Sequence, residues 1–112
     1  MGQMLAMDRR PTAVLLIYEV TAIGVYRRLF EAGLRPGPDM AIVGFRDEPS
    51  IRFLVPTLTC FSLSLSALGR LVGTSLLAQI PRFQKQFPQG HVQSLLKLDL
   101  KPGESDAFPP RI

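Results

Sequence analysis

The stretch Gly33-Leu34-Arg35-Pro36-Gly37-Pro38-Asp39-Met40-Ala41-Ile42-Val43-Gly44-Phe45-Arg46-Asp47 constrains the fold more than any other part of this chain. Gly33 can take the left-handed conformation that closes a helix, and Leu34 can fold back on the last turn. Pro36 and Pro38 prevent the helix from resuming. Met40 to Phe45 is an apolar run without alternation, the pattern of a parallel strand buried on both faces. Arg46 and Asp47 then emerge at the carboxyl end of that strand, where open α/β sheets bind ligands.

The rest of the chain extends this unit. Residues 2–8 form the end of a short helix that Arg10-Pro11 stops, and Thr12 to Ile17 is a buried strand. Residues 19–32 form a helix with Ala22, Tyr26, Leu29 and Phe30 on one broad face and Arg27, Arg28 and Glu31 on the other. Glu19 lies in its first turn, where a carboxylate suits the helix dipole. Asp47-Glu48-Pro49-Ser50 opens a short helix over 50–54, and Leu58 to Leu63 is a third extended segment. Ser64 can cap a helix over 65–80 whose buried stripe is Leu65, Leu68, Val72, Leu76 and Ile80, and Pro81 ends it. A polar loop from Arg82 to His91 leads to a last strand, Ser94 to Leu100, and a Pro- and Gly-rich tail that is frayed over 106–112. The order β-α-β-(short α)-β-α-β predicts an α/β fold with a mostly parallel sheet and flanking helices.

Composition narrows the function classes. The 112 residues suit one small domain, and 46% hydrophobic content is enough for a core. The net charge of +4 comes from scattered basic residues with no 5–8-residue block, which describes a solvated surface rather than a nucleic-acid patch. Cys60 is the single cysteine, so no intramolecular disulfide forms and a reducing compartment fits. It sits in the apolar run Leu58 to Phe61, apart from the single histidine, His91, which describes a buried thiol and leaves no metal cluster. There is no Gly-rich phosphate loop and no Ser-centred nucleophile elbow. Asp47 and Glu48, beside Pro49, have the character of turn-shaping carboxylates. The expectation is a protein with no catalytic residues and no cofactor. The first ten residues lack the pattern of a secretory signal, and no apolar run reaches about 18 residues, so the expected location is cytoplasmic, away from membranes.

Six further pieces, in order, resemble the sensor domain of LacI/GalR-type transcriptional regulators. Arg10-Pro11-Thr12-Ala13 resembles the "R-P-T-A" that opens a strand there, and Tyr18-Glu19-Val20-Thr21-Ala22-Ile23-Gly24 resembles "N-D-x-x-A-x-G". Gly33-Leu34 with Val43-Gly44-Phe45-Arg46-Asp47 resembles "G-L" followed by "V-G-F-D-D". Pro56-Thr57-Leu58-Thr59-Cys60 resembles "P-P-L-T-T", Leu68-Gly69 resembles "L-G" of the following helix, and Leu98 to Lys101 with Glu104-Ser105 resembles the closing "L-x-x-R-x-S-T".

The resemblance implies two lobes of periplasmic-binding-protein type, a small molecule between them, and operator DNA read by an N-terminal helix-turn-helix. Residues 1–105 match only the C-terminal portion of that sensor, with 58–80 as a crossover segment of the first lobe and no match to the DNA-reading helices. Tyr18, Glu19, Arg46, Asp47 and Leu63 are then the implied effector-facing residues. Arg46 replaces the first Asp of "G-F-D-D", so the effector is sugar-like or anionic. Ile23, Tyr26, Arg27, Phe53 and Leu54 are the implied homodimer surface. Two other classes stay open: a periplasmic-type solute-binding protein, and a free-standing dimerisation module that acts on full-length regulators.

Overall fold

The structure, a computed structural model, describes residues 1–46, 48–87 and 94–107. The chain divides into two compact units, Met1–Ser62 with Asp99–Ile112, and Leu63–Leu98. The first unit holds helix α1 (Gly2–Leu5), strand β1 (Ala13–Leu16), helix α2 (Val20–Glu31), strand β2 (Ala41–Phe45), a 3-10 turn over Pro49–Phe53, strand β3 (Thr59–Ser62) and strand β4 (Asp99–Lys101). The four strands form one sheet in the order β1-β2-β3-β4, with β1, β2 and β3 parallel and β4 antiparallel to β3. This is the mostly parallel α/β sheet that the alternation of strands and helices predicts. The second unit holds helix α3 (Leu65–Ala78) and a 3-10 turn over Pro81–Phe83. The expected crossover segment 58–80 is thereby divided: Thr59–Ser62 is a strand of the main sheet, and only residues from Leu63 onward belong to the second unit.

The helix-to-strand connection forms as its residues dictate. Gly33 has φ +70°, its amide bonds the Phe30 carbonyl at 3.0 Å, and the Leu34 amide bonds the Leu29 carbonyl at 2.9 Å. This double bond pattern satisfies the last carbonyls of α2 and turns the chain toward β2. Gly37 also has φ +86°, and a Cβ there would lie 2.9 Å from the Glu104 carbonyl oxygen.

The core lies on one face of the sheet. Ala22, Val25, Tyr26 and Leu29 of α2 cluster with Leu16, Met40, Ile42, Ile51, Leu58 and Cys60. The opposite face is open, contrary to the expectation of strands buried on both sides. Leu15 is 63% and Ile17 70% exposed, and β2 alternates between buried Ile42 and Gly44 and half-buried Ala41, Val43 and Phe45. Side chains of a strand alternate between faces, so one helical layer covers only half of them.

Three further expectations are corrected. In α3 the apolar stripe is not buried: Leu65, Val72, Leu76 and Ile80 are exposed, Leu68 is half-buried, and Ala78 is the helix's buried residue. Ser64 caps α3 as expected, accepting a bond from the Ala67 amide at 3.2 Å. The helix stops at Ala78 rather than 80, because Ile80 precedes Pro81 and is driven into extended backbone. The last strand spans Asp99–Lys101 rather than 94–100, because β3 offers only Cys60, Phe61 and Ser62 for antiparallel pairing. The expected loop at 88–91 and frayed tail at 108–112 lie outside the described residues.

Residues 103–106 return from β4 and splice into the sheet. Ser105 is wholly buried between β2 and β3. Its carbonyl accepts the Ile42 amide at 2.7 Å, its hydroxyl donates to the Ile42 carbonyl at 2.6 Å, and the same hydroxyl accepts the Thr59 amide at 2.9 Å. The Glu104 carboxylate accepts the Thr57 amide at 2.9 Å and the Thr57 hydroxyl at 3.1 Å. The Thr59 hydroxyl donates to Asp106 at 2.7 Å and accepts the Gly103 amide at 2.8 Å. A Cβ at Gly103 would lie 2.6 Å from the Thr57 carbonyl oxygen, so only glycine lets the return approach this closely.

Two predictions follow from this splice. Ser105→Ala leaves the Ile42 carbonyl and Thr59 amide without their buried partner, which costs roughly 2–4 kcal/mol in urea denaturation; Ser105→Thr, which keeps the hydroxyl, loses less unless its methyl group cannot be housed. The Thr57 amide, then its hydroxyl, holds the Glu104 carboxyl below its usual value. A carboxyl whose folded value is depressed adds stability above its unfolded value, about 4.3, that is lost as pH falls through the folded one. Urea midpoints measured from pH 7 to pH 3 should therefore fall less steeply for Glu104→Gln than for the native chain.

Candidate functional site

The carboxyl ends of β1 and β2 lie side by side, since Leu16 pairs with Gly44. Past the end of β1 the chain runs through Ile17 and Tyr18 into Glu19, which occupies the N-cap of α2. The Glu19 side chain makes no cap hydrogen bond and is turned inward, only 15% exposed. Past the end of β2, the Arg46 amide bonds the Phe61 carbonyl at 2.7 Å, which continues the ladder with β3. Arg46 then takes φ +77°, a left-handed conformation unusual for a residue with a side chain. The sheet registers Arg46 and the left-handed turn aims the chain away, so its position is set by backbone geometry.

The guanidinium of Arg46 joins two carboxylates. Nη2 lies 2.7 Å from Glu48 Oε1, and Nη1 lies 3.9 Å from Glu19 Oε2. Glu19 Oε2 is buried and, among the described residues, accepts no hydrogen bond. Tyr18, by contrast, is exposed beside the cluster, with its carbonyl accepting the Thr21 hydroxyl. The structure thus brings Glu19 and Arg46 together with Tyr18 next to them. Asp47 lies outside the described residues. Leu63 is half-buried and opens the second unit.

Arg46 is not the free cation from which an anionic effector was expected, because two carboxylates already neutralise it. Glu48 was legible only as a turn former beside Pro49. Its role as the partner of Arg46 follows from a fold that brings residues 46 and 48 round one bend, and the opposite charges two positions apart were the available signal.

A second surface lies on the outer flank of α2. A groove of about 760 Å³ is lined by Tyr26, Arg27, Phe30, Leu34, Phe53 and Leu54 together with Pro36, Pro38, Val55, Pro56 and parts of the return loop. It unites four of the five residues of the expected dimer surface. Phe53 is 86% and Phe30 82% exposed, Leu54 is half-buried, and Ile23 is exposed but does not line the groove. Tyr26 is buried, with its hydroxyl donating to the Pro56 carbonyl at 2.9 Å, and burial pushes its phenol upward. It shapes the groove floor while remaining a core residue. Arg27 lies exposed in a pair with Glu31 at 3.0 Å, which holds the Glu31 carboxyl below its usual value. Phe30 was expected on the core face of α2; its exposure places it on the groove wall instead.

Among the described residues, no group of histidine, cysteine or acidic side chains is arranged to hold a metal ion. Cys60 is buried, as expected of a structural thiol. No described helix is long and apolar enough to cross a membrane.

Comparisons with known proteins place the fold. Residues 1–105 match the family model of the periplasmic binding protein-like domain. The HTH-type transcriptional repressor PurR of Haemophilus influenzae is 33% identical over 102 residues, which cover 91% of this chain and 29% of that protein. The ribose operon repressor of Escherichia coli K12 is 34% identical over 88 residues, covering 77% of this chain and 27% of that protein. Among solved structures, a lac repressor dimer bound to operator and the anti-inducer ONPF superposes with a TM-score of 0.78 at 30% identity, over 95% of this chain and 35% of that one. The chain therefore spans under a third of the length of these two curated relatives. It belongs to the periplasmic-binding-protein-like domain family and corresponds to part of the sensor domain of LacI/GalR-type transcriptional regulators.

Proposed function

We propose that this chain is the effector-sensing and dimerisation portion of a LacI/GalR-type regulator, acting by binding rather than by catalysis, in the cytoplasm. The single observation that carries the sensing role is the convergence of Tyr18, Glu19 and Arg46 at the carboxyl ends of two adjacent parallel strands, the position at which open α/β sheets hold ligands. The pairing of the inward-turned Glu19 carboxylate with Arg46 at 3.9 Å supports this reading by placing opposite charges at those strand ends. In the regulator, effector binding would change operator affinity by shifting the balance between two arrangements of the sensor. Operator contact itself belongs to a part of the regulator other than these 112 residues, and Asp47 and Leu63 complete the effector-facing set as the resemblance implies.

The groove beside α2 supports the dimerisation role. It combines exposed Phe30 and Phe53 with a concave apolar wall, on the same flank of α2 as Ile23. A soluble monomer rarely leaves so much contiguous apolar surface in water, and the solved lac repressor relatives are dimers.

Two measurements test this function. In size exclusion with light scattering, the chain should elute as a dimer or larger at high micromolar concentration, and Ile23→Asp with Leu54→Asp should shift it at least tenfold toward monomer. A sharp native monomer peak at that concentration would rule the dimerisation role out. In a mobility-shift assay, the chain alone should bind DNA only weakly and lose that binding as salt rises to physiological strength, as charge alone dictates. A sequence-preferring complex that survives there would mean that DNA is read within these 112 residues.

A further inference from the structure

We propose that the groove beside α2 is a binding site for a proline-rich apolar peptide, and that its occupant is this chain's own segment Phe108-Pro109-Pro110-Arg111-Ile112. This rests on the groove described above and sets a second occupant against the dimer partner proposed for it. The groove, of about 760 Å³, is walled by aromatic and proline side chains, and its Phe30 and Phe53 stand in water. Ala107 is itself a lining residue, so the chain arrives at the groove just where this segment starts. That arrival is fixed by the splice: Asp106 accepts the Thr59 hydroxyl at 2.7 Å, and a Cβ at Gly37 would touch the Ala107 Cβ at 3.5 Å. The segment lies outside the described residues, and its sequence is a phenylalanine, two consecutive prolines, an arginine and an isoleucine.

The chemistry of the segment suits that wall. Pro109 and Pro110 have a fixed φ, and Phe108 and Pro109 each precede a proline, which biases them to extended backbone. Docking such a stiff stretch costs less conformational entropy than docking an ordinary one. Polyproline-type segments bind in grooves lined by aromatic side chains, as Tyr26, Phe30 and Phe53 line this one. Their backbone carbonyls have no internal partners and need donors. Arg27 and Arg35 also line the groove; each holds its acidic neighbour, Glu31 or Asp39, through Nε, and a guanidinium carries further N–H donors. At about 3.1 Å per residue the segment spans roughly 15 Å, which keeps it on the surface adjoining Ala107. A short tether gives it an effective concentration on the order of millimolar, so a contact of millimolar intrinsic affinity is about half filled within one chain. A second copy must displace it from Phe30 and Phe53. With each of two copies closed half the time, the segment weakens the groove-to-groove dimer about fourfold.

The test compares the 112-residue chain with the same chain carrying Phe108→Ser, Pro109→Ser and Pro110→Ser together, by NMR below the concentration at which light scattering detects dimer. In the native chain the Phe108 ring and the two prolines should give NOE contacts to the rings of Tyr26, Phe30 and Phe53. In the triple variant the Phe30, Phe53 and Leu54 amides should shift while those of Thr59 and Ser105 stay, which shows that the fold is intact. The free peptide Phe-Pro-Pro-Arg-Ile, added to the variant at millimolar concentration, should return the shifted amides toward their native positions. The variant should also dimerise about fourfold more tightly. Identical groove amides in the two chains, with no ring contacts, overturn the proposal and leave the dimerisation role standing. Contacts that appear only between differently labelled copies give the segment to a second copy and overturn it as well. Ring contacts within one chain, with dimerisation unchanged in the variant, support the segment as occupant and remove the groove from the dimer surface.

Discussion

The wholly buried hydroxyl of Ser105 is the interaction on which the rest of the first unit depends. Parallel strands β2 and β3 pair from Val43 and Thr59 onward; at the start of that pairing Ser105 bonds Ile42 on one side and Thr59 on the other. A residue in that position closes the sheet with a segment 46 positions beyond Thr59 and 63 beyond Ile42. The return of Gly103 to Asp106 also brings the Glu104 carboxylate to Thr57 and the Glu104 carbonyl to the close approach at Gly37. The helix-to-strand connection, the entrance of β2 and the entrance of β3 are held by this one splice. Each buried polar group at the join has a partner, which is the condition for such an insertion to be stable.

With the amino ends of the strands locked in this way, their carboxyl ends are free to carry chemistry. Arg46 is delivered there by the last ladder bond of β2, and Glu19 by the transition from β1 into α2. The helix α2 then serves both surfaces of the unit. Glu19 at its N-cap belongs to the strand-end cluster, while Tyr26, Arg27 and Phe30 on its outer flank line the groove.

The apolar surfaces left in water are as informative as the core. Leu15 and Ile17 project from the sheet face that no helix of the first unit covers, and Leu65, Val72 and Leu76 are exposed along α3 in the second. The chain spans 29% of the length of its relative PurR of Haemophilus influenzae and 38% of one solved lac repressor chain.

The local grammar of the chain was legible residue by residue. Gly33 and Leu34 specify the end of α2, Ser64 specifies the start of α3, and Pro81 limits its end, because each acts through its own backbone or a neighbour within a few positions. The order of strands and helices, and hence a mostly parallel sheet, follows from the same local signals. Tertiary structure decided what depends on distant partners. It left one face of the sheet open, shortened β4 to the three residues that β3 can pair, placed Ser105 between two strands, and turned Phe30 from the core to a groove wall. It also set Arg46 between Glu19 and Glu48, which converts an apparent free cation into a neutralised one. Charge is written in the sequence, but whether a charge is available to a ligand depends on what the fold brings within a few ångströms of it, and Coulomb attraction over that range outweighs composition.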